Sequence, residues 1–113
     1  MVIDTSAIAA IFFSEPDAQR YEDAILDHPQ RLISAGTALE SALVVEGRLG
    51  EMGARELELF LYKAQFDVVA FDRAQLSFAR HAYVTFGKGR HKAKLNFGDC
   101  FAYALAKARD DVL

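Results

Sequence analysis

Short apolar stretches alternate with longer segments of helical periodicity along nearly the whole chain, and this alternation restricts the fold more than any other feature. Residues 1–4, 31–35 and 67–71 read as short strands, the last with Val68, Val69 and Phe71 as its apolar members. Residues 6–13 read as a helix of two turns. Ser14-Glu-Pro-Asp reads as a helix start, with Ser14 as cap and Pro16 in the first turn. Ala18, Tyr21 and Ile25 continue that helix until His28-Pro29 stops it. Thr37 is expected to cap a helix that runs to Gly50, and Leu57, Phe60, Leu61 and Ala64 mark another over residues 54–66. Asp72 is expected to cap a helix with Leu76, Ala79 and Tyr83 on one face, and residues 96–109 form an Ala-rich helix. Val112-Leu113 begins a fourth strand that breaks off after two residues, so the sheet is expected to lack most of its last strand. Strands joined by helices make βαβ units, hence an α/β fold on a parallel sheet with right-handed crossovers.

The chain has 113 residues, which predicts a single domain over residues 1–113. Its 52% apolar content supports a packed core and excludes a disordered chain. No apolar run approaches the roughly 18 residues of a membrane span, and the opening Met-Val-Ile-Asp lacks the basic start of a secretory signal. A soluble cytoplasmic protein is expected. Cys100 is the only cysteine, so no internal disulfide can form. The net charge of −3 argues against a broadly basic nucleic-acid-binding surface. Positive charge is instead concentrated in a glycine-punctuated loop, where Lys88, Arg90, His91, Lys92 and Lys94 fall within seven residues.

In open parallel sheets, ligands bind outside the carboxyl ends of the strands. Asp4 ends the first strand, Glu40 falls in the expected first turn of the helix after the second, and Asp99 falls in the first turn of the helix entering the last. Converging carboxylates repel one another unless cations compensate. Hard divalent ions such as Mg²⁺ or Mn²⁺ prefer such oxygen donors, activate water and stabilise charge on a phosphate in flight. The reaction this pattern implies is metal-assisted hydrolysis of a phosphodiester. No histidine base is required for it.

Local alternatives stand beside each assignment. Glu40 lies three residues after Thr37, the spacing of a capping box. Asp99 lies three after Asn96 and would complement a helix dipole. Asp4 is also placed to cap the following helix, and Ser6 either caps it or meets a metal-bound water. The loop at 88–94 is a solvated loop or an RNA-backbone contact, and its position just before Asp99 favours the contact. Arg80 and His81 extend that patch or lie on a solvated helix face. Cys100 reads as a small buried apolar residue, lacking an identifiable basic partner. No Cys/His spacing suits zinc, and Gly87-Lys88-Gly89 lacks the full spacing of a phosphate loop.

Three motifs occur in order: Val-Ile-Asp-Thr-Ser-Ala at the start, Thr-Ala-Leu-Glu at 37–40, and Leu-Asn-Phe-Gly-Asp-Cys-Phe-Ala-Tyr-Ala-Leu-Ala at 95–106. Together they resemble the PIN-domain family, and within it the toxin ribonucleases of VapC type. The resemblance covers nearly the whole chain and is most specific from Gly87 to Ala106. It implies an α/β/α sandwich with a central parallel sheet of about four short strands. It also implies an Mg²⁺- or Mn²⁺-dependent endoribonuclease acting on tRNA or rRNA, a homodimer, and silencing by a VapB-type antitoxin. Matched motif by motif, Asp4, Glu40 and Asp99 take the places of the acidic metal ligands, and Ser6 matches the hydroxyl residue just after the first acid. The family's usual fourth acid follows the start of the last strand, beyond Leu113. Asp110 and Asp111 come too early to replace it.

The leading expectation is therefore a toxin-type endoribonuclease. A non-catalytic member of the same fold, binding RNA or a partner with residual acids, is the alternative. A structure-specific DNA nuclease fits less well, because the chain is short and lacks the arches that thread DNA.

Overall fold

The computed structural model describes residues 1–86 and 95–111. The strand beginning at Val112 and the basic segment at 88–94 lie outside the described residues. In chain order, the elements are α1 (Thr5–Phe12), α2 (Ala18–Asp27), β1 (Arg31–Ser34), α3 (Ala35–Lys63), β2 (Phe66–Val69), α4 (Arg73–Phe86) and α5 (Phe97–Arg109).

β1 is the middle strand. It pairs in parallel with β2 from Arg31–Phe66 to Ser34–Val69, and on its other side Leu32 forms a parallel bridge with Val2. The Ile3 amide donates to the Leu32 carbonyl at 2.9 Å, and the Leu32 amide donates to the Met1 carbonyl at 2.8 Å. The first strand is thus reduced to a single bridge. Among the described residues the parallel sheet has two strands and that bridge. β2 ends at Val69, so Phe71 leaves the strand and packs edge-on to Phe101, with centroids 4.8 Å apart.

The period-2 alternation of a strand sends neighbouring side chains to opposite layers. Ile3 and Ile33 join Ala7, Ile8, Ile25, Val45 and Leu57 in one core. Val2 and Leu32 join Ala102 and Leu105 of α5 in another. Helices therefore cover both faces, as expected for the α/β/α sandwich. α4 packs on α5 through Ala79, Cys100 and Ala104, where small side chains allow close approach.

Helix boundaries depart from the sequence expectations in two informative places. Ser14 does not cap α2. It takes a left-handed φ of 52° and closes α1: its amide donates to Ile11 O (3.3 Å), and the Glu15 amide donates to Ala10 O (2.9 Å). This pair of bonds is a Schellman ending, in which the residue after the C-cap turns left-handed. α2 begins only after Asp17. Thr37 does not cap α3 either. Ser34 does, its Oγ accepting from the Gly36 amide at 3.2 Å, so the helix follows directly from β1. α3 contains both helices expected over 37–66. Gly50, at φ 76° and ψ −174°, interrupts it with a conformation that costs a side-chain-bearing residue far more than glycine.

Arg31 ties the far end of this layer together. Its guanidinium donates to the carbonyls of Ile25 (2.7 Å), Leu26 (3.1 Å), His28 (3.1 Å) and Ala64 (2.6 Å), which satisfies the carbonyls left open where α2 and α3 end. Replacing Arg31 with Met keeps the aliphatic stem and removes the fork. Urea unfolding is expected to register a loss of about 1.5–3 kcal/mol. Arg55→Met, which breaks only an exposed pair with Glu51, should stay within about 0.5 kcal/mol. Equal effects would remove the special role of Arg31.

Candidate active site

The starts of two helices, α1 and α5, meet α3 at Glu40. Asp4 is the N-cap of α1, with Oδ1 accepting from the Ala7 amide at 3.1 Å. The next residue, Thr5, donates its hydroxyl to Glu40 Oε1. On the other side stands Gly98 in the first turn of α5, where a Cβ would overlap the Glu40 carboxylate. Asp99 follows Gly98 directly. Because α3 starts at Ala35, Glu40 lies in its second turn and not its first, and the Thr37–Glu40 capping box does not form. Thr37 is instead buried, with Oγ1 lacking a partner among the described residues.

Asp99 does form its local box. Asn96 Oδ1 accepts from the Asp99 amide at 2.9 Å, and Asp99 Oδ2 accepts from the Asn96 amide at 3.0 Å. Asp4 and Asp99 thus each commit one oxygen to a helix start, and Glu40 commits one to Thr5. Among the described residues, the other oxygen of each has no protein donor. All three carboxyls are partly exposed. The positive ends of the α1 and α5 dipoles favour the negative charge of Asp4 and Asp99.

No group of three His, Cys, Asp or Glu side chains among the described residues forms a ready metal cage. The donor set nevertheless suits a hard cation. Every candidate ligand is a carboxylate oxygen, and Mg²⁺ commonly binds through one or two carboxylates while keeping several waters. The bare backbone at Gly98 leaves the Glu40 carboxylate room beside Asp99.

The remaining candidates separate clearly. Ser6 is exposed in the first turn of α1, and Asp4 takes the capping role that Ser6 was expected to share. Lys88, Arg90, His91 and Lys92 lie outside the described residues. Arg80 and His81 are exposed on α4, and Arg80 borders an apolar groove of about 660 Å³ between α4 and α5, lined by Phe71, Tyr83, Phe97 and Phe101. Cys100 is buried and donates to Asn96 O at 3.3 Å. Burial, and then the neighbouring Asp99 charge, push its thiol upward, so it stays protonated at neutral pH. Asp111 is 2.8 Å from the N-terminal ammonium of Met1. That position is the opposite end of the first extended segment from Asp4, about 10 Å away at strand rise.

Thr5 and Gly98 escaped the sequence reading. A glycine in the first turn of a helix, as in Phe-Gly-Asp, is a sign of close backbone approach, though it does not identify the approaching group.

This chain is similar to known proteins. The PIN domain family profile matches residues 1–113. Ribonuclease VapC of Mycolicibacterium smegmatis is 55% identical over 107 residues, covering 95% of this chain and 83% of that protein. Ribonuclease VapC30 of Mycobacterium tuberculosis is also 55% identical, over 95% of this chain and 82% of its own length. The crystal structure of Mycobacterium tuberculosis VapC20, a Sarcin-Ricin loop cleaving toxin, aligns with a TM-score of 0.77 over 97% of this chain and 83% of that one. At 14% identity this last match is a likeness of fold. The chain belongs to the PIN-domain family, among its VapC-type toxin ribonucleases.

Gly98→Ala tests the geometry at Glu40. The obstructing atoms belong to the end of a flexible side chain, so the fold can absorb a methyl if the carboxylate swings away. Stability should hold or rise by up to about 1 kcal/mol, from the better helix propensity of alanine. RNA cleavage should fall by about 100-fold, the scale of a small misplacement at a reacting centre. Paired urea melts and cleavage assays check this, and full activity at unchanged stability would contradict it.

Proposed function

We propose that this chain is a divalent-metal-dependent endoribonuclease and the toxin of a toxin–antitoxin pair, with Asp4, Glu40 and Asp99 as its metal-holding and catalytic acids. The observation that carries this is the seating of the Glu40 carboxylate between Thr5, next to Asp4, and Gly98, next to Asp99. A bound Mg²⁺ or Mn²⁺ would supply charge compensation for the scissile phosphate and activation of a water. The residues' own contribution is positional. The Asp4 cap and the Asn96–Asp99 box hold two carboxylates at the starts of rigid helices, where one oxygen of each is left for a ligand. The helix dipoles of α1 and α5 favour anionic groups at the same place. Ser6 is assigned the secondary role of meeting a coordinated water.

RNA is the proposed substrate, tRNA or rRNA the proposed class, and Lys88, Arg90, His91 and Lys92 the proposed backbone contacts. A VapB-type antitoxin is the proposed partner and a homodimer the proposed assembly. Leu39 and Leu43, each 61% exposed, and Phe97, 77% exposed, provide uncovered apolar surface near the acids for such contacts. No helix among the described residues is long and apolar enough to cross a membrane, which is compatible with a cytoplasmic site of action.

One observation favours the non-catalytic alternative: Asp4 has a sufficient structural role as the N-cap of α1, and Asp99 has one as the N3 member of the capping box that Asn96 opens on α5. Asn caps helices as well as Asp does, and at position 99 its Oδ1 can still accept from the Asn96 amide, so Asp4→Asn and Asp99→Asn separate the two roles. Both variants should stay within about 1 kcal/mol of wild-type stability, the scale of one charge at a helix start. Cleavage by the wild type should require Mg²⁺ or Mn²⁺, stop with EDTA, and drop by at least about 100-fold in each variant, on the scale of losing an electrostatic catalytic group. Cleavage that survives both substitutions overturns the assignment. For the basic segment, replacing Arg90 and Lys92 with Ala should weaken RNA binding and flatten its salt dependence, by about one unit of slope for each phosphate no longer neutralised. An unchanged slope in filter-binding titrations would exclude these residues as RNA contacts.

A further inference from the structure

We infer that Thr5 is a positioning residue for Glu40, holding its carboxylate in the orientation that the proposed hydrolysis needs, with the buried Ser41 hydroxyl behind it. The inference rests on the assignment of Glu40 to the active site. It adds a role for two hydroxyls that have no local structural task.

Thr5 occupies the first position of α1, directly after the Asp4 cap. Its hydroxyl has one proton, and that proton goes to Glu40 Oε1, 35 residues away on α3. Thr5 is β-branched, so few χ1 wells are open to it, and the one it occupies points the hydroxyl at Glu40. Ser41 is fully buried in α3, one residue after Glu40. A serine inside a helix commonly bonds back to the carbonyl four residues earlier. Here its Oγ approaches Thr5 Oγ1 at 3.4 Å, a long contact in which Thr5 is the acceptor. The two hydroxyls thus run in one direction, from Ser41 to Thr5 to Glu40, and only the bond from Thr5 ends on a carboxylate.

A glutamate side chain has three rotatable bonds and would otherwise sample many positions. Thr5 fixes one carboxylate oxygen, and the other side of the carboxylate faces Gly98. Because Asp4 and Thr5 are consecutive, one helix start sets the position of two acids. The packing of α1 on α3 does not depend on this bond, since Ala7, Ile8 and Val45 supply a separate apolar contact between the helices.

The test uses the full chain with Thr5→Val, Thr5→Ser, Ser41→Ala and Glu40→Gln, and three measurements: unfolding in urea, Mn²⁺ binding by calorimetry, and RNA cleavage split into kcat and KM. Thr5→Val removes the hydroxyl and keeps the branched shape. It should unfold near the wild-type midpoint, lose about 10–100-fold in Mn²⁺ affinity and kcat, and leave KM for RNA nearly unchanged. Thr5→Ser should recover most of that loss, and Ser41→Ala should show a smaller one. Adding Thr5→Val to Glu40→Gln should cost nothing further, because the group being positioned is already altered. Wild-type kcat and Mn²⁺ affinity in Thr5→Val would overturn the inference while leaving the role of Glu40 intact. So would equal impairment in Thr5→Ser. Unimpaired cleavage in Glu40→Gln would overturn the role of Glu40 and the inference together. If Thr5→Val fails to fold, Thr5→Ser and Ser41→Ala decide: Mn²⁺ affinity that is unchanged in Ser41→Ala and not retained in Thr5→Ser counts against the inference.

Discussion

Everything in this fold hangs on the two-sided burial of β1. Leu32 hydrogen-bonds to residues 1–3 on one edge and lies in the β2 register on the other, while Leu32 and Ile33 point into opposite cores. A four-residue strand cannot be stable by itself. It persists because helices cover both faces and because the chain's first residues close its edge. α1 and α3 therefore begin at the same end of the sheet, and the approach of Gly98 to Glu40 brings the start of α5 there as well.

The same constraint explains why carboxylates are tolerated together there. Helix starts present unpaired amides and a positive dipole end. Asp4, as N-cap, and Asp99, as the N3 partner of Asn96, answer such amides with one oxygen each and so are structural acceptors and candidate ligands at once. Glu40 belongs to a different category. It sits past the first turn of α3, makes no cap, and takes its only hydrogen bond among the described residues from another helix. The structural role that could have explained Glu40 away is absent, while those that could explain Asp4 and Asp99 are present but occupy only part of each carboxylate. The proposal of these three acids as metal-holding residues rests on that difference, in a chain whose VapC relatives are 55% identical over almost its whole length.

Stability and chemistry are divided between the two ends of the sheet. At one end Arg31 satisfies the carbonyls where α2 and α3 finish, and Asp111 holds the N-terminal ammonium. At the other the helices begin, amides point outward, and the acids gather. Matching polar partners at one end leaves the other free to hold groups whose oxygens are not fully matched by protein donors. Asp110 and Asp111 thus belong to the closing turn of α5, where Asp110 takes the left-handed conformation, and not to the acidic cluster.

The sequence by itself determined what depends on neighbours within a few residues. The alternation of strands and helices, the Asn96–Asp99 box, the Asp72 cap on Gln75 and the stop at His28 are all local hydrogen-bonding or periodicity effects, and the acids at strand ends follow from topology. Local rules misjudged Ser14 and Thr37, because a hydroxyl residue near a helix end reads alike whether it closes one helix or opens the next. What precedes each in space decided the matter: the Schellman turn of α1 took Ser14, and the abrupt end of β1 let Ser34 start α3. Only the tertiary structure could join Thr5 to Glu40 across 35 residues, bring bare backbone at Gly98 against that carboxylate, and split Leu32 and Ile33 between two cores. Those contacts exist because helices from distant parts of the chain pack against one short strand, and no local pattern encodes which side chains then meet.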